Sequence, residues 1–237
     1  MKLKKSPYIF LSGGGNAQQS RLLDSLFVEK VGERKILYLP VAMKRDKIGY
    51  EACFDWIIST LTSHSKNFLD IDMVTNLASV SREYLENFGA IYIGGGNTYK
   101  LLDEIRKSGF DKLMIDFLWK GGIIYGGSAG AIVLGKDISI VSEEKDRDIS
   151  SKGLDLINGY SIKCHYSDND NKVIRNFVRE TKLPVIAIPE GCGLILTTLI
   201  SQNKILGEGI KIFKQNVELK LSRKTPFWED LVLRCLV

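Results

Sequence analysis

A single serine stands among residues with almost no side chain in the stretch IIYGGSAGAIVLG, Ile123 to Gly135. Gly126, Ser128 and Gly130 have the G-x-S-x-G spacing that, between a strand and a helix, holds a nucleophile on a tight turn. A residue held there adopts strained backbone geometry, so its neighbours have to be small, and Gly127, Ala129 and Ala131 are. The hydroxyl then projects over the sheet edge, and free N–H groups at the start of the following helix can stabilise an oxyanion. The same residues also suit close helix–strand packing or a phosphate cradle. What decides is whether Ser128 has partners.

A serine nucleophile needs a base, and the chain has 2 histidines. His64, in LTSHSKN, ends an amphipathic helical pattern, where a histidine caps the helix or faces solvent. His165 follows the strand-like run YSIKC and precedes the turn YSDNDN. That puts it at a strand end, where catalytic groups gather in open α/β sheets, and His165 is the expected base. The orienting carboxylate has two candidates. Glu190 ends the run PVIAIPEG, expected at the same carboxyl edge of the sheet, and Glu143, in IVSEEKD, follows the helix after Ser128. Spacing does not choose between them. Glu144, Asp146, Asp168 and Asp170 read as surface charge. A second glycine turn, YIGGGNT, lacks the G-x-G-x-x-G spacing of a dinucleotide loop. Its bare backbone can supply an oxyanion donor, a role that falls to Gly96 with Gly95 beside it.

The elements that position these residues alternate between short apolar runs and helical patterns, which predicts an α/β fold with a mostly parallel sheet. Strands are expected at Tyr8 to Leu11, running into a glycine loop, at Lys35 to Met43, at Leu69 to Thr75, before Gly94 and Gly126, and at Leu183 to Gly191. Tyr50, Phe54, Ile57, Ile58 and Leu61 recur at helical spacing, and a short helix follows around Ser81 to Asn87. Asn97 or Thr98 can cap a helix buried through Leu101, Leu102 and Ile105. Further helices are expected over Phe110 to Lys120 and around Val173 to Val178, the latter entered through Asp168 and Asn169. From Gly193 onward, LILTTLI, KILGEGIKIF and VELKL predict consecutive strands and hairpins closing one side. No repeat or linker interrupts the pattern, so residues 1–237 are expected to form one domain.

Composition narrows the function. With 44% hydrophobic and 26% charged residues, the 237-residue chain can bury a substantial core. Its 33 basic residues are interleaved with 28 acidic ones for a net charge of +5, with no basic, aromatic-punctuated stretch to track nucleic acid. The apolar run near the start is too short for a signal segment, and nothing approaches the roughly 20 apolar residues of a membrane span. Four scattered cysteines without CxxC make zinc unexpected and suggest reduced thiols in a cytoplasmic protein.

At the residues IYIGGGNTYKLL, GGSAGA, the histidine of CHY, and IPEG, in that order, the sequence resembles the peptidase E (aspartyl dipeptidase) family of serine peptidases, with its cyanophycinase-like relatives. The resemblance extends from Tyr8 to about Leu196. It implies a flavodoxin-like three-layer α/β/α sandwich akin to class I glutamine amidotransferases, a Ser-His-Glu triad, and no metal or cofactor. Ser128 matches the family's nucleophile, His165 its base, Glu190 its acid, and Gly96 and Ala129 its oxyanion-hole donors. Glu143 matches a further functionally important acid. The chain departs from the pattern after the histidine: Asp168 and Asp170 stand where an arginine suited to a substrate aspartate is expected. Arg45, Lys100, Lys163 and Arg175 are the cations that can replace it. The expected function is hydrolysis of short peptides, dipeptidase-like and including Asp-Xaa as a candidate, by a monomer or homodimer. An esterase or isopeptide-polymer hydrolase with the same triad, and a non-catalytic anion-binding protein, are the alternatives.

Overall fold

The computed structural model describes residues 6–43, 49–141, 149–222, 224, 229, 231 and 233. Along the chain, β1 (Tyr8–Ser12) leads into α1 (Ala17–Val31), β2 (Lys35–Leu39), α2 (Tyr50–Thr62), β3 (Ile71–Met73), α3 (Arg82–Leu85) and β4 (Phe88–Ile93). There follow α4 (Thr98–Lys107), α5 (Phe110–Trp119), β5 (Ile123–Gly127), α6 (Ala129–Ile132) and β6 (Ser161–Lys163). The last third holds α7 (Asn171–Thr181), β7 (Val185–Ala187), β8 (Gly193–Thr197), β9 (Lys204–Leu206), β10 (Lys211–Lys214) and β11 (Val217–Lys220).

Seven strands form the main sheet in the order β3-β2-β4-β5-β1-β8-β9. The first five are parallel, β8 pairs antiparallel with β1, and β9 pairs antiparallel with β8. Strand alternation sorts the side chains onto two faces. Phe10, Ile36, Tyr38, Tyr92 and Tyr125 meet Leu23, Phe27, Ile57 and Leu61 of α1 and α2. Ile9, Leu11, Leu37, Ile91, Ile93 and Ile124 face the other way and pack with Leu101, Leu102, Ile105 and Met114 of α4 and α5. The result is an α/β sandwich of the flavodoxin-like kind. Both faces of its parallel strands are buried, which is why those strands read as unbroken apolar runs.

A second sheet, in the order β11-β10-β7-β6, lies against the α4–α5 side: Ile162, Ile186 and Ile212 join the core on that face. Its opposite face is covered by Ile174, Phe177 and Val178 of α7. This corrects two expectations. The strand before Glu190 belongs to the small sheet, and it stops at Ala187. Pro189 has no N–H to continue a ladder, so the chain leaves the sheet before Glu190. The C-terminal strands do not all close one side. β8 and β9 extend the main sheet, whereas β10 and β11 form a hairpin in the small one.

Three smaller differences have local causes. The helix after Ser128 is only the four residues Ala129–Ile132, because Leu154, Leu156 and Asp155 donate their N–H groups to the carbonyls of Val133, Leu134 and Gly135 and end it. Asp168 and Asn169 lie in a 3-10 turn instead of capping α7, whose N-cap position is Asp170. The helix α1, which the apolar periodicity did not single out, is capped by Asn16 through a reciprocal contact with Gln19. Among the described residues, no helix is long and apolar enough to cross a membrane.

Candidate active site

The carboxyl ends of β4, β5 and β1 are neighbours in the parallel sheet, and each runs into a glycine-rich turn. Such a rim is where open α/β sheets gather functional groups. On the central turn Ser128 has φ +51° and ψ −112°, an uncommon conformation for a residue with a side chain. Small neighbours permit it. A Cβ on Gly126 would come within 2.6 Å of the Ala131 nitrogen, and one on Gly130 within 2.3 Å of the Ile93 carbonyl. The Ser128 N–H donates to the Ser12 carbonyl at 3.2 Å, which ties the turn to the end of β1.

Ser128 Oγ lies 2.7 Å from His165 Nε2. His165 Nδ1 lies 2.8 Å from Glu190 Oε1. With the imidazole proton on Nδ1, the serine donates to the ring and the ring donates to the carboxylate, a continuous hydroxyl–imidazole–carboxyl chain. His165 also has positive φ, at +52°. Both rim residues on either side of the first contact are therefore in backbone conformations that the surrounding bonds have to enforce. The imidazole and the carboxyl are each about half exposed, with side-chain exposures of 47% and 50%, so the chain opens to solvent on one side.

Sequence reasoning gave the loop after β1 no role, yet it forms the third wall. The Gly13 carbonyl accepts from the His165 N–H at 2.9 Å, and the Gly14 carbonyl accepts from the Gly191 N–H at 2.9 Å, one residue beyond Glu190. Gly14 has φ +96°, and a Cβ there would sit 2.3 Å from His165 Cε1. The imidazole packs against bare backbone. Three consecutive glycines directly after a strand were the signal, the same one that marked the turn at Gly94 to Gly96. Cys164 was likewise missed: its buried thiol donates to the carbonyls of Ser12 at 3.4 Å and Ser128 at 3.6 Å, and burial pushes its pKa up to about 12. A thiol so placed is a packing and hydrogen-bonding group.

On the side of the β4 turn, Gly95 faces Ser128, with the position of its missing Cβ 3.3 Å from Ser128 Cβ. The turn uses the N–H of Gly94 on Leu39 and that of Asn97 on Ala42, and among the described residues no backbone carbonyl takes the N–H of Gly96. Ala129 opens α6, where N–H groups have no intrahelical acceptor. Asn97 caps α4 by accepting from the Lys100 N–H at 2.8 Å. Glu143 and Arg45 lie outside the described residues.

The acidic segment after the histidine is not free surface charge. Asp170 pairs with Lys163 at 3.5 Å. Asp168 pairs with Lys211 at 2.9 Å, and the ammonium beside it holds the Asp168 carboxyl below its ordinary range. Arg175 is engaged by Glu218 at 2.6 Å. Of the described cations named as substitutes for the missing arginine, Lys163 and Arg175 are thus committed, and Lys100 stands in the first turn of α4 beside the glycine turn. His64 lies beyond the end of α2, with its N–H on the Leu61 carbonyl, and takes no part at the rim. Cavities of about 770 and 500 Å³ open elsewhere, the larger at the amino ends of β2, β4 and β5 around Lys35, Phe88 and Gly122. Among the described residues, no three His, Cys, Asp or Glu side chains gather as a metal site requires.

The sequence model of peptidase family S51 matches residues 8–199. An uncharacterized peptidase of Listeria monocytogenes is 29% identical over 112 residues, covering 44% of this chain and 53% of that relative, about half its length. Peptidase E of Shewanella oneidensis is 28% identical over 172 residues, 68% of this chain and 70% of that one. The crystal structure of a peptidase from an acI-B1 Actinobacterium superposes with a TM-score of 0.66 at 18% identity, covering 94% of this chain and 97% of that chain, a likeness of fold.

Proposed function

The chain belongs to peptidase family S51, and on that premise we propose that it is a serine-type peptidase that hydrolyses short peptides through Ser128, His165 and Glu190. One observation carries the reading: the serine, imidazole and carboxyl groups follow one another at 2.7 and 2.8 Å, although 37 and 25 residues separate them in sequence. Ser128 Oγ attacks the scissile carbonyl as His165 Nε2 takes its proton. Glu190 holds the ring in the productive tautomer and stabilises the imidazolium that forms. The N–H groups of Gly96 and Ala129 receive the oxyanion, a contribution of about 3–4 kcal/mol per donor in comparable sites. His165 then protonates the leaving amine, and water repeats the cycle on the acyl-enzyme.

Ser128→Ala should fold normally and lose nearly all turnover, and a fluorophosphonate probe should label the wild type only. Equal turnover by both proteins would defeat the assignment. Profiling a dipeptide and tripeptide library, with Asp-Xaa members, β-aspartyl peptides and simple esters included, identifies the bond. Within this reading, Lys100 is the cation that meets an acidic substrate side chain. Lys100→Ala should then raise KM for Asp-Xaa substrates and leave Ala-Xaa substrates unchanged; an equal effect on both removes Lys100 from specificity.

A further inference from the structure

A carboxyl group is buried beneath the nucleophile turn, in a cluster that is otherwise apolar and aromatic. Asp24 of α1 is 1% exposed. It accepts hydrogen bonds from Ser20 Oγ at 2.6 Å and from the Tyr125 hydroxyl at 2.6 Å. Burial raises its pKa, and those two hydroxyls, with His64 nearby, oppose the shift. A buried carboxyl costs stability unless its bonds are made, and leucine would fill such a site without that cost. The mechanism above makes no use of this group, so its retention calls for a reason.

Its partner supplies one. Tyr125 lies three residues before Ser128 on β5 and belongs to a row of aromatic side chains in cross-strand register. Tyr38 pairs with Tyr92, Tyr92 with Tyr125, and Tyr125 with Phe10. The Tyr92 and Tyr125 rings stack at 4.3 Å, and Phe27 of α1 meets Tyr125 edge-on at 5.1 Å. The hydroxyl ends of this row reach the floor of the glycine turns: the Tyr92 oxygen is 3.7 Å from where a Gly127 Cβ would be, and the Tyr38 oxygen 3.5 Å from that of Gly94. The Tyr125 hydroxyl also lies beside Ser12. Ser12 in turn holds the Ser128 N–H through its carbonyl and the Gly14 N–H through its hydroxyl, at 3.3 Å for the second.

We propose that Asp24 and Tyr125 are positioning residues for Ser128: their buried contact anchors β5 to α1 and fixes the turn from which the nucleophile projects. The inference rests on the serine-peptidase reading above. A displacement of a fraction of an ångström at a nucleophile is enough to slow reaction while leaving substrate binding intact.

The test uses the full chain and the second-order rate of fluorophosphonate labelling, with melting temperature measured alongside. The double variant Tyr125→Phe/Asp24→Leu removes both partners together and leaves no buried carboxyl without its tyrosine donor, so it should fold. Its labelling should be roughly tenfold slower than wild type, with kcat lowered and KM unchanged for a cleaved peptide. Tyr125→Phe alone should slow labelling similarly. Ser20→Ala removes the other donor to the same carboxyl and should keep the wild-type labelling rate even if it melts lower. Wild-type labelling by the double variant, or slowing of Ser20→Ala in step with its melting temperature, would overturn the positioning role. Labelling that survives Ser128→Ala would remove the peptidase reading itself, and this proposal with it.

Discussion

Ser128 and His165 hold φ values of +51° and +52°, a region uncommon for residues with a side chain. The strain is borne by contacts made by glycine, which gives the rim its sensitivity to single methyl groups. Gly14→Ala would place a Cβ 2.3 Å from His165 Cε1 and hold an alanine at φ +96°. The expected result is a loss of kcat of at least about tenfold with circular dichroism unchanged, because the imidazole is displaced and little else is. Glu190 offers a gentler test. Glu190→Gln keeps the shape and loses the charge, and because the pair is half exposed, water replaces part of its effect. The kcat/KM should fall on the order of a hundredfold, less than a buried triad acid would cost. If activity is unchanged, the orienting role passes to Glu143.

At the scale of elements, the site depends on how three turns are fastened to their strands and helices. Asn97 caps α4 through the Lys100 N–H, so Asn97→Ala should cost about 1 kcal/mol in urea denaturation. The same change should lower activity out of proportion to that loss, since the cap fixes the turn that carries Gly95 and Gly96. Gly130 is the tightest junction between β4 and α6. An alanine there puts its Cβ 2.3 Å from the Ile93 carbonyl, a backbone atom that cannot move cheaply. Destabilisation of about 1–3 kcal/mol is expected for Gly130→Ala, with loss of labelling at Ser128. The Asp168–Lys211 pair contributes little by comparison: the Asp168 side chain is 80% exposed, and such pairs are worth about 0–1 kcal/mol.

For the molecule as a whole, the buried carboxyl sets a pH dependence. Burial keeps Asp24 protonated in the folded state over a range where the unfolded chain has released the proton. Stability is therefore lost as pH rises from the ordinary carboxylate value of about 3.9 through the raised folded value, the opposite of a salt-bridged acid. Asp24→Asn should flatten the decline in unfolding free energy that sets in as pH rises above the ordinary carboxylate range, measured by denaturant titration at each pH; an unchanged slope refutes the assignment. The sequence by itself determined the parallel α/β core, because strands buried on both faces leave unbroken apolar runs such as those ending at Ile93 and Gly127. It also determined the candidate nucleophile, since a serine among glycines needs only local geometry to be recognised. The pairing of Ser128 with His165 and Glu190 was decided only in three dimensions. Those residues come from two different sheets, and packing of β6 and β7 against the α4–α5 side brings them to the rim of the first. The aromatic row and its buried acid were equally invisible, because cross-strand register is set by strand order, and no spacing along one chain encodes which strands become neighbours.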